Sequence, residues 1–267
     1  MNLNNSRPPA VAGQFYPDDR NELSAMIDDF LAQVEPRAIS DVDLKNLQAL
    51  IVPHAGYPFS GPVAAYAYQL LNQLPKDPNY QVILLGVSHF TAIDNTYADT
   101  HDFWQTPLGN VPIIPQNIFP KNKACHSREH SLEVQIPWLQ KTLKNFSILP
   151  FLTNFDDPRA LAERLLTLLQ KPNTILIVST DLSHYLPYPL AKATDQKTIK
   201  YILNLNVQFL TPEPERACGL NGVLTLLEIS RQNNWQPRLL KYANSGDTYG
   251  DKSQVVGYAA LVFIKTE

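Results

Sequence analysis

The sequence has no apolar run long enough to cross a bilayer, and no Walker loop, GxGxxG, GxSxG or HExxH. Those absences remove a helical membrane span, the common nucleotide cradles, the hydrolase nucleophile elbow and the helix-borne zinc protease site. Cysteine is scarce, and the only two, Cys125 and Cys218, are too few for a disulfide framework and suit a reducing cytoplasm. Charge of one sign is nowhere concentrated. The 22 Lys and Arg against 25 Asp and Glu leave a net charge of -3, which gives no footprint for nucleic acid or an anionic membrane. Glycine is low at 10, whereas 22 prolines are spread along the chain, a pattern of stiff loops rather than disorder. Met1 to Pro17 holds no basic segment followed by an apolar core, so a soluble, unexported, cytoplasmic protein is expected.

A length of 267 residues with 44% hydrophobic content fits one domain over residues 1–267. Short apolar runs at Leu50–Val52, Gln81–Val87, Ser147–Leu152 and Thr174–Ser179 read as strands buried on both faces. Between them lie helical patterns. Leu23 to Val34 follows a cap at Asp18 or Asp19, and Val63 to Leu74 follows Ser60 as N-cap with Pro62 in the first turn. Pro137 kinks or delays a third helix, Asp157-Pro158 opens a fourth, and two more cover Leu190–Asn206 and Ala217–Arg231. Leu239–Asn244 and Gln254–Lys265 pair as a closing hairpin. Phe90 to Lys123 forms a lid or side wall, with a short strand at Val111–Ile114. The expected fold is α/β: a three-layer α/β/α domain with a mostly parallel mixed central sheet.

Three of the six histidines, His54, His89 and His184, directly follow buried strands, at the sheet edge where open α/β folds bind ligands. Neutral imidazoles with one carboxylate are the ligand set of non-haem iron(II) sites. Asp181, Asp247, Asp251, Glu129 and Glu133 are the carboxylates available, unranked by the sequence. Asp181 either fixes the tautomer of His184, leaving it as a general base, or caps the following turn. Glu129-His130 is either an acid/base pair or a solvated helix start. His101 and His126 read as surface residues. Cys218 reads as a small packing residue, because no histidine neighbours it in sequence. Tyr57, Phe59, Phe90 and Trp104 would give an exposed aromatic rim.

The motifs Pro53-His54-Ala55-Gly56-Tyr57 with Ser60-Gly61, Leu85-Gly86-Val87-Ser88-His89, Thr106-Pro107-Leu108-Gly109, Glu129-His130-Ser131-Leu132-Glu133, Ser179-Thr180-Asp181-Leu182-Ser183-His184, Cys218-Gly219 and Tyr242-Ala243-Asn244-Ser245 resemble the MEMO family. Its prokaryotic members are called AmmeMemoRadiSam system protein B. The resemblance implies a fold similar to class III extradiol dioxygenases, with His54 and His89 as metal ligands and Asp181 and His184 beside the metal. Eukaryotic members look to use a cysteine after the Tyr-x-x-Ser segment, where this chain has Thr248. The dioxygenases use a carboxylate there, which makes Asp247 the candidate third ligand. The catalytic candidates are then His184, Asp181, His130 and Glu129.

The implied cofactor is a divalent metal, iron(II) first, with copper or zinc as alternatives. The implied function is a non-haem iron type oxidoreductase, dioxygenase-like, acting on a small molecule; zinc-assisted hydrolysis ranks last. The alternative is a non-catalytic cleft for a peptide or partner. The family's name points to an AMMECR-type protein and a radical S-adenosylmethionine enzyme as partners.

Overall fold

The computed structural model describes residues 5–209 and 216–266. Strands β1 Leu47–Val52, β2 Tyr80–Gly86, β3 Tyr97–Ala98, β4 Phe146–Leu152, β5 Thr174–Ser179, β6 Trp235–Asn244 and β7 Gly257–Lys265 form a seven-stranded sheet in the order β3-β4-β2-β5-β1-β7-β6. The adjacent strands β4, β2, β5 and β1 are parallel. Antiparallel pairs β3 with β4, β7 with β1 and β7 with β6 complete it. This is the mixed, mostly parallel sheet that the apolar runs imply. The closing hairpin is longer than its pattern, since β6 begins at Trp235, before Pro237. An edge strand tolerates that proline because the missing N–H faces away from the ladder.

Helices α1 Arg20–Ala32, α2 Tyr57–Asn72 and α3 Ile136–Thr142 cover one face, and α4 Pro158–Leu169, α5 Tyr188–Leu203 and α6 Leu220–Asn233 cover the other. The two-residue period of a strand divides the core. Leu50 and Val52 pack with Leu23, Val63 and Trp138, whereas Ala49 and Ile51 pack with Leu165, Leu226 and Phe263. Among the described residues, no helix is long and apolar enough to cross a membrane.

Some local expectations shift. Asp19 caps α1, accepting from the amides of Asn21 and Glu22 at 2.8 and 3.0 Å. Helix α2 starts at Tyr57 rather than after Ser60, because the Tyr57 amide, which has no partner within the helix, donates to the Phe15 carbonyl at 2.7 Å. The Ser60 hydroxyl donates to the Ala55 carbonyl at 2.8 Å. Pro137 lies in the first turn of α3, where it delays the helix behind a 3₁₀ turn at Glu133–Gln135. The side wall is a three-stranded sheet of Ser6–Arg7, Phe103–Thr106 and Gly109–Pro112.

A buried ion pair ties this wall to the domain. Arg7 donates to Glu133 at 2.6 Å, and to the carbonyls of Glu129 and His126 at 2.6 and 2.7 Å. Its guanidinium lies 4.3 Å from the centre of the Trp104 ring. Glu133 also accepts from the Ala10 and Val11 amides and the Tyr16 hydroxyl, so its carboxylate is committed to structure. The wall buries residues that looked like surface in the sequence. His126 is fully enclosed, with Nε2 3.1 Å from the Tyr97 carbonyl, and burial lowers its pKa to about 4. His101 is buried with Nδ1 2.8 Å from Asp99.

Replacing Arg7 by Met is expected to cost about 3–5 kcal/mol, because Glu133 would keep a buried charge without its partner. Urea denaturation midpoints measure it; a loss below about 1 kcal/mol would contradict the role assigned to this pair.

Candidate metal centre

Strand β5 lies between β1 and β2, parallel to both. The loops that carry His54, Asp181–His184 and His89 therefore leave one sheet edge side by side. A fourth segment, Ser127 to Glu133, crosses that edge. It is anchored where the Ser131 hydroxyl donates to the Val87 carbonyl at 2.7 Å. The approach is close enough to require glycine at the end of β2, since a Cβ on Gly86 would stand 2.5 Å from Leu132.

This crossing brings His130 to the other two imidazoles. Donor atoms of His54, His89 and His130 all lie within 4.8 Å of one another, and this group could hold a divalent metal. The His89 and His130 rings stack at 4.6 Å, and His54 stands edge-on to them at 5.2 and 5.6 Å.

The surrounding hydrogen bonds set the tautomers. The Ser179 hydroxyl donates to the Ser131 carbonyl at 2.5 Å and accepts from Gln135 Nε2 at 2.8 Å. Its single proton is thereby used, so His54 Nδ1, 3.0 Å away, must be the donor to it. His54 Nε2 is left unprotonated, as an acceptor. His89 Nδ1 likewise donates to Glu129 Oε1 at 2.9 Å, freeing its own Nε2. His130 Nδ1 is buried without a hydrogen-bond partner, 3.4 Å from Glu129 Oε1. Two oriented lone pairs and one orphaned ring nitrogen fit a metal ion.

Glu129 is no solvated helix start. Its carboxylate is buried and accepts from the amides of His89, His130 and Ser131 at 2.6, 2.9 and 2.8 Å, besides the His89 ring. Burial pushes its pKa up, but these hydrogen bonds, that from the His89 ring first, outweigh it and hold it at about 2. Asp181, also buried, accepts from the His54 amide at 2.7 Å, so it fixes the backbone beside the ligand. Burial raises its pKa against the bonds from His54 and Ala55 and the charge of His184. His184 is half-buried on the same loop, next to Tyr185, which has φ +56°. Such a backbone is strained for a bulky residue.

Asp247 stands outside the histidine group. It is exposed, accepts from the Tyr188 hydroxyl at 2.7 Å, and closes a capping box with Asn244. Cys218 proves to be more than packing, because its Sγ lies 3.2 Å from His54 Nε2. At a sequence separation of 164, no local spacing could reveal that contact. Of the aromatic rim, Tyr57 and Trp104 are buried in the core, whereas Phe90 is exposed and meets the His130 ring at 5.8 Å.

Burial lowers the pKa of His54 to about 3 and of His130 to about 4, helped by the neighbouring imidazoles. Both imidazoles are therefore neutral at pH 7. Because the folded values lie below the ordinary 6.5, their contribution is complete above that pH and is lost as pH falls toward 4 or 3. Moving the metal-free protein from about pH 7.5 to about pH 5 is expected to cost on the order of 2 kcal/mol per buried histidine. An unchanged urea midpoint across that interval would contradict this.

The profile of the family described as "Memo-like protein" matches residues 7–262. A MEMO1 family protein of Methanopyrus kandleri is 36% identical, covering 96% of this chain and 98% of its own. Similar relatives from Sulfolobus acidocaldarius and from a Thermotoga species are each 35% identical over 96% of this chain and 99% of theirs.

Proposed function

The chain belongs to the Memo-like family, and on that premise we propose that it is a metal-dependent oxidoreductase of the non-haem iron type, working on a small organic molecule at the carboxyl edge of the sheet. The observation that carries this reading is the convergence of His54, His89 and His130 within 4.8 Å, with two of the rings held by Ser179 and Glu129. In this proposal His54, His89 and His130 are the metal ligands. His130 takes the third place because the Asp247 carboxylate is already used by Tyr188 and by the Asn244 amide. Iron(II) with open coordination positions would supply Lewis-acid and one-electron redox chemistry there, and zinc or copper would fit the same nitrogens.

The protein's own part is positioning and proton movement. Glu129 keeps the His89 ring oriented. His184, half-exposed on the loop that carries Asp181, is the group placed to take a proton from a bound substrate. A second reading, a cleft that binds a peptide or a partner protein such as the AMMECR-type or radical S-adenosylmethionine protein, draws on exposed Phe90, Tyr185 and Tyr249. These follow the carboxyl ends of β2, β5 and β6.

Metal analysis by mass spectrometry on protein purified without oxygen separates the cases. Near-stoichiometric iron is expected in the native protein and in Asp247→Ala, and its loss in His54→Ala and His130→Ala. Loss in Asp247→Ala with retention in His130→Ala would move the third ligand to Asp247. Absence of metal from every form after anaerobic iron addition would sink the enzyme reading; partner binding that survives in the histidine variants would then favour the second one.

A further inference from the structure

We propose that the protein binds an extended acidic peptide at the amino ends of β2 and β4, the end of the sheet opposite the histidine cluster, where two strand edges lie open beside a cationic cavity. This site is independent of the proposed metal centre.

One proline opens it. The wall strand Gly109–Pro112 runs on into Ile113, which pairs in parallel with Ile148 of β4, and the Ile114 amide donates to the Ile148 carbonyl at 2.9 Å. The next rung back along such a ladder would pair Val111 with Phe146, and it needs an N–H from residue 112 to reach the Phe146 carbonyl. Pro112 has none. The ladder therefore stops at Ile113, and the two strands part.

Alternation along each strand shows which groups are left open. The Tyr80 amide donates to the Asn145 carbonyl at 3.0 Å as Tyr80 pairs with Phe146, which turns the N–H and C=O of Phe146 away from β2 and toward the wall. In the wall hairpin the Ile113 amide donates to the Asp102 carbonyl at 2.9 Å, so Val111 and Gly109 also bond inward and the N–H and C=O of Asn110 face outward. Among the described residues, no strand pairs with Asn110 or Phe146 on these outer sides.

The gap between the edges is a cavity of about 590 Å³, a size that holds a ligand. Its charge is of one sign, since Arg20, Lys141 and Lys144 line it and no Asp or Glu does. Asp28 holds Lys141 at 2.8 Å, whereas Arg20 and Lys144 are exposed. Leu108, Val111 and Phe146 supply an apolar part of the lining. A strand added to an open edge takes its affinity from main-chain hydrogen bonds and its selectivity from alternate side chains. Here Asn110 and Phe146 offer the main-chain groups, the apolar lining receives one face of the peptide, and the cations select acidic residues on the other.

The probe is a fluorescein-labelled peptide of alternating Glu and Val, tested on the full chain. Fluorescence anisotropy is expected to show saturable binding, with slowed hydrogen exchange at the Asn110 and Phe146 amides. Methylating alternate nitrogens of the peptide should weaken binding at least ~10-fold, because each methyl removes a ladder donor. Arg20→Glu combined with Lys144→Glu should weaken it by at least ~10-fold through like-charge repulsion, while His54→Ala should leave it unchanged. Equal affinity of the methylated peptide would reduce the contact to charge attraction alone and overturn the proposal. Protection confined to the loops after β2 and β5 would put the peptide in the histidine cleft and overturn it too, as would failure of the native protein to bind the peptide.

Discussion

One buried carboxylate organises this centre. Glu129 is withdrawn from water and surrounded by four N–H donors, three from the backbone and one from the His89 ring. Burying such a charge costs several kcal/mol unless its oxygens are satisfied. Here they are, and the charge-assisted bonds keep it ionised. In satisfying itself, Glu129 fixes the amide and the ring of His89 and the backbone of His130, so two of the three imidazoles are positioned by one side chain. The Glu129 carbonyl is in turn held by Arg7, whose charge is matched by Glu133. A chain of buried polar contacts thus runs from the amino-terminal wall to the histidine cluster.

The sheet supplies what that chain cannot. Inserting β5 between β1 and β2 sets three histidine-bearing loops at adjacent strand ends. Asp181 then bonds across to the His54 amide, and Ser179 to the His54 ring. His130, which completes the cluster with His54 and His89, arrives from outside the sheet on a segment held by Ser131, Gln135 and the close fit at Gly86. Three imidazoles, two of them with one ring nitrogen already committed to Ser179 or Glu129, are thereby held together in a group that could take a metal ion.

Much of this was readable in the sequence because it follows from local physics. Apolar runs such as Val82 to Leu85 can only be buried strands, and a histidine straight after such a run falls at the ligand-binding edge. That reasoning puts His54, His89 and the Asp181–His184 pair at adjacent strand ends, where the sheet has them. What escaped depends on contacts between distant segments. Glu129 meets His89 across 40 residues. Nothing in Glu129-His130 itself distinguishes an enclosed carboxylate from a solvated one. His126 and His101 looked exposed because the wall that covers them is assembled from Arg7, Trp104 and their neighbours. The proximity of Cys218 to His54 required both the end of β5 and the start of α6 to be placed. Asp247 carries the letter a third ligand would need, yet its local sequence makes it a helix-capping residue.

The most direct measurement is the anomalous difference density of a crystal grown with zinc and recorded at the zinc edge. The account requires a single strong peak among His54, His89 and His130, about 2.0–2.1 Å from their nitrogens, with Glu129 still bonded to His89 behind it. A peak centred instead on Asp247, or no peak between the three imidazoles in protein shown to have bound zinc in solution, would contradict the central claim.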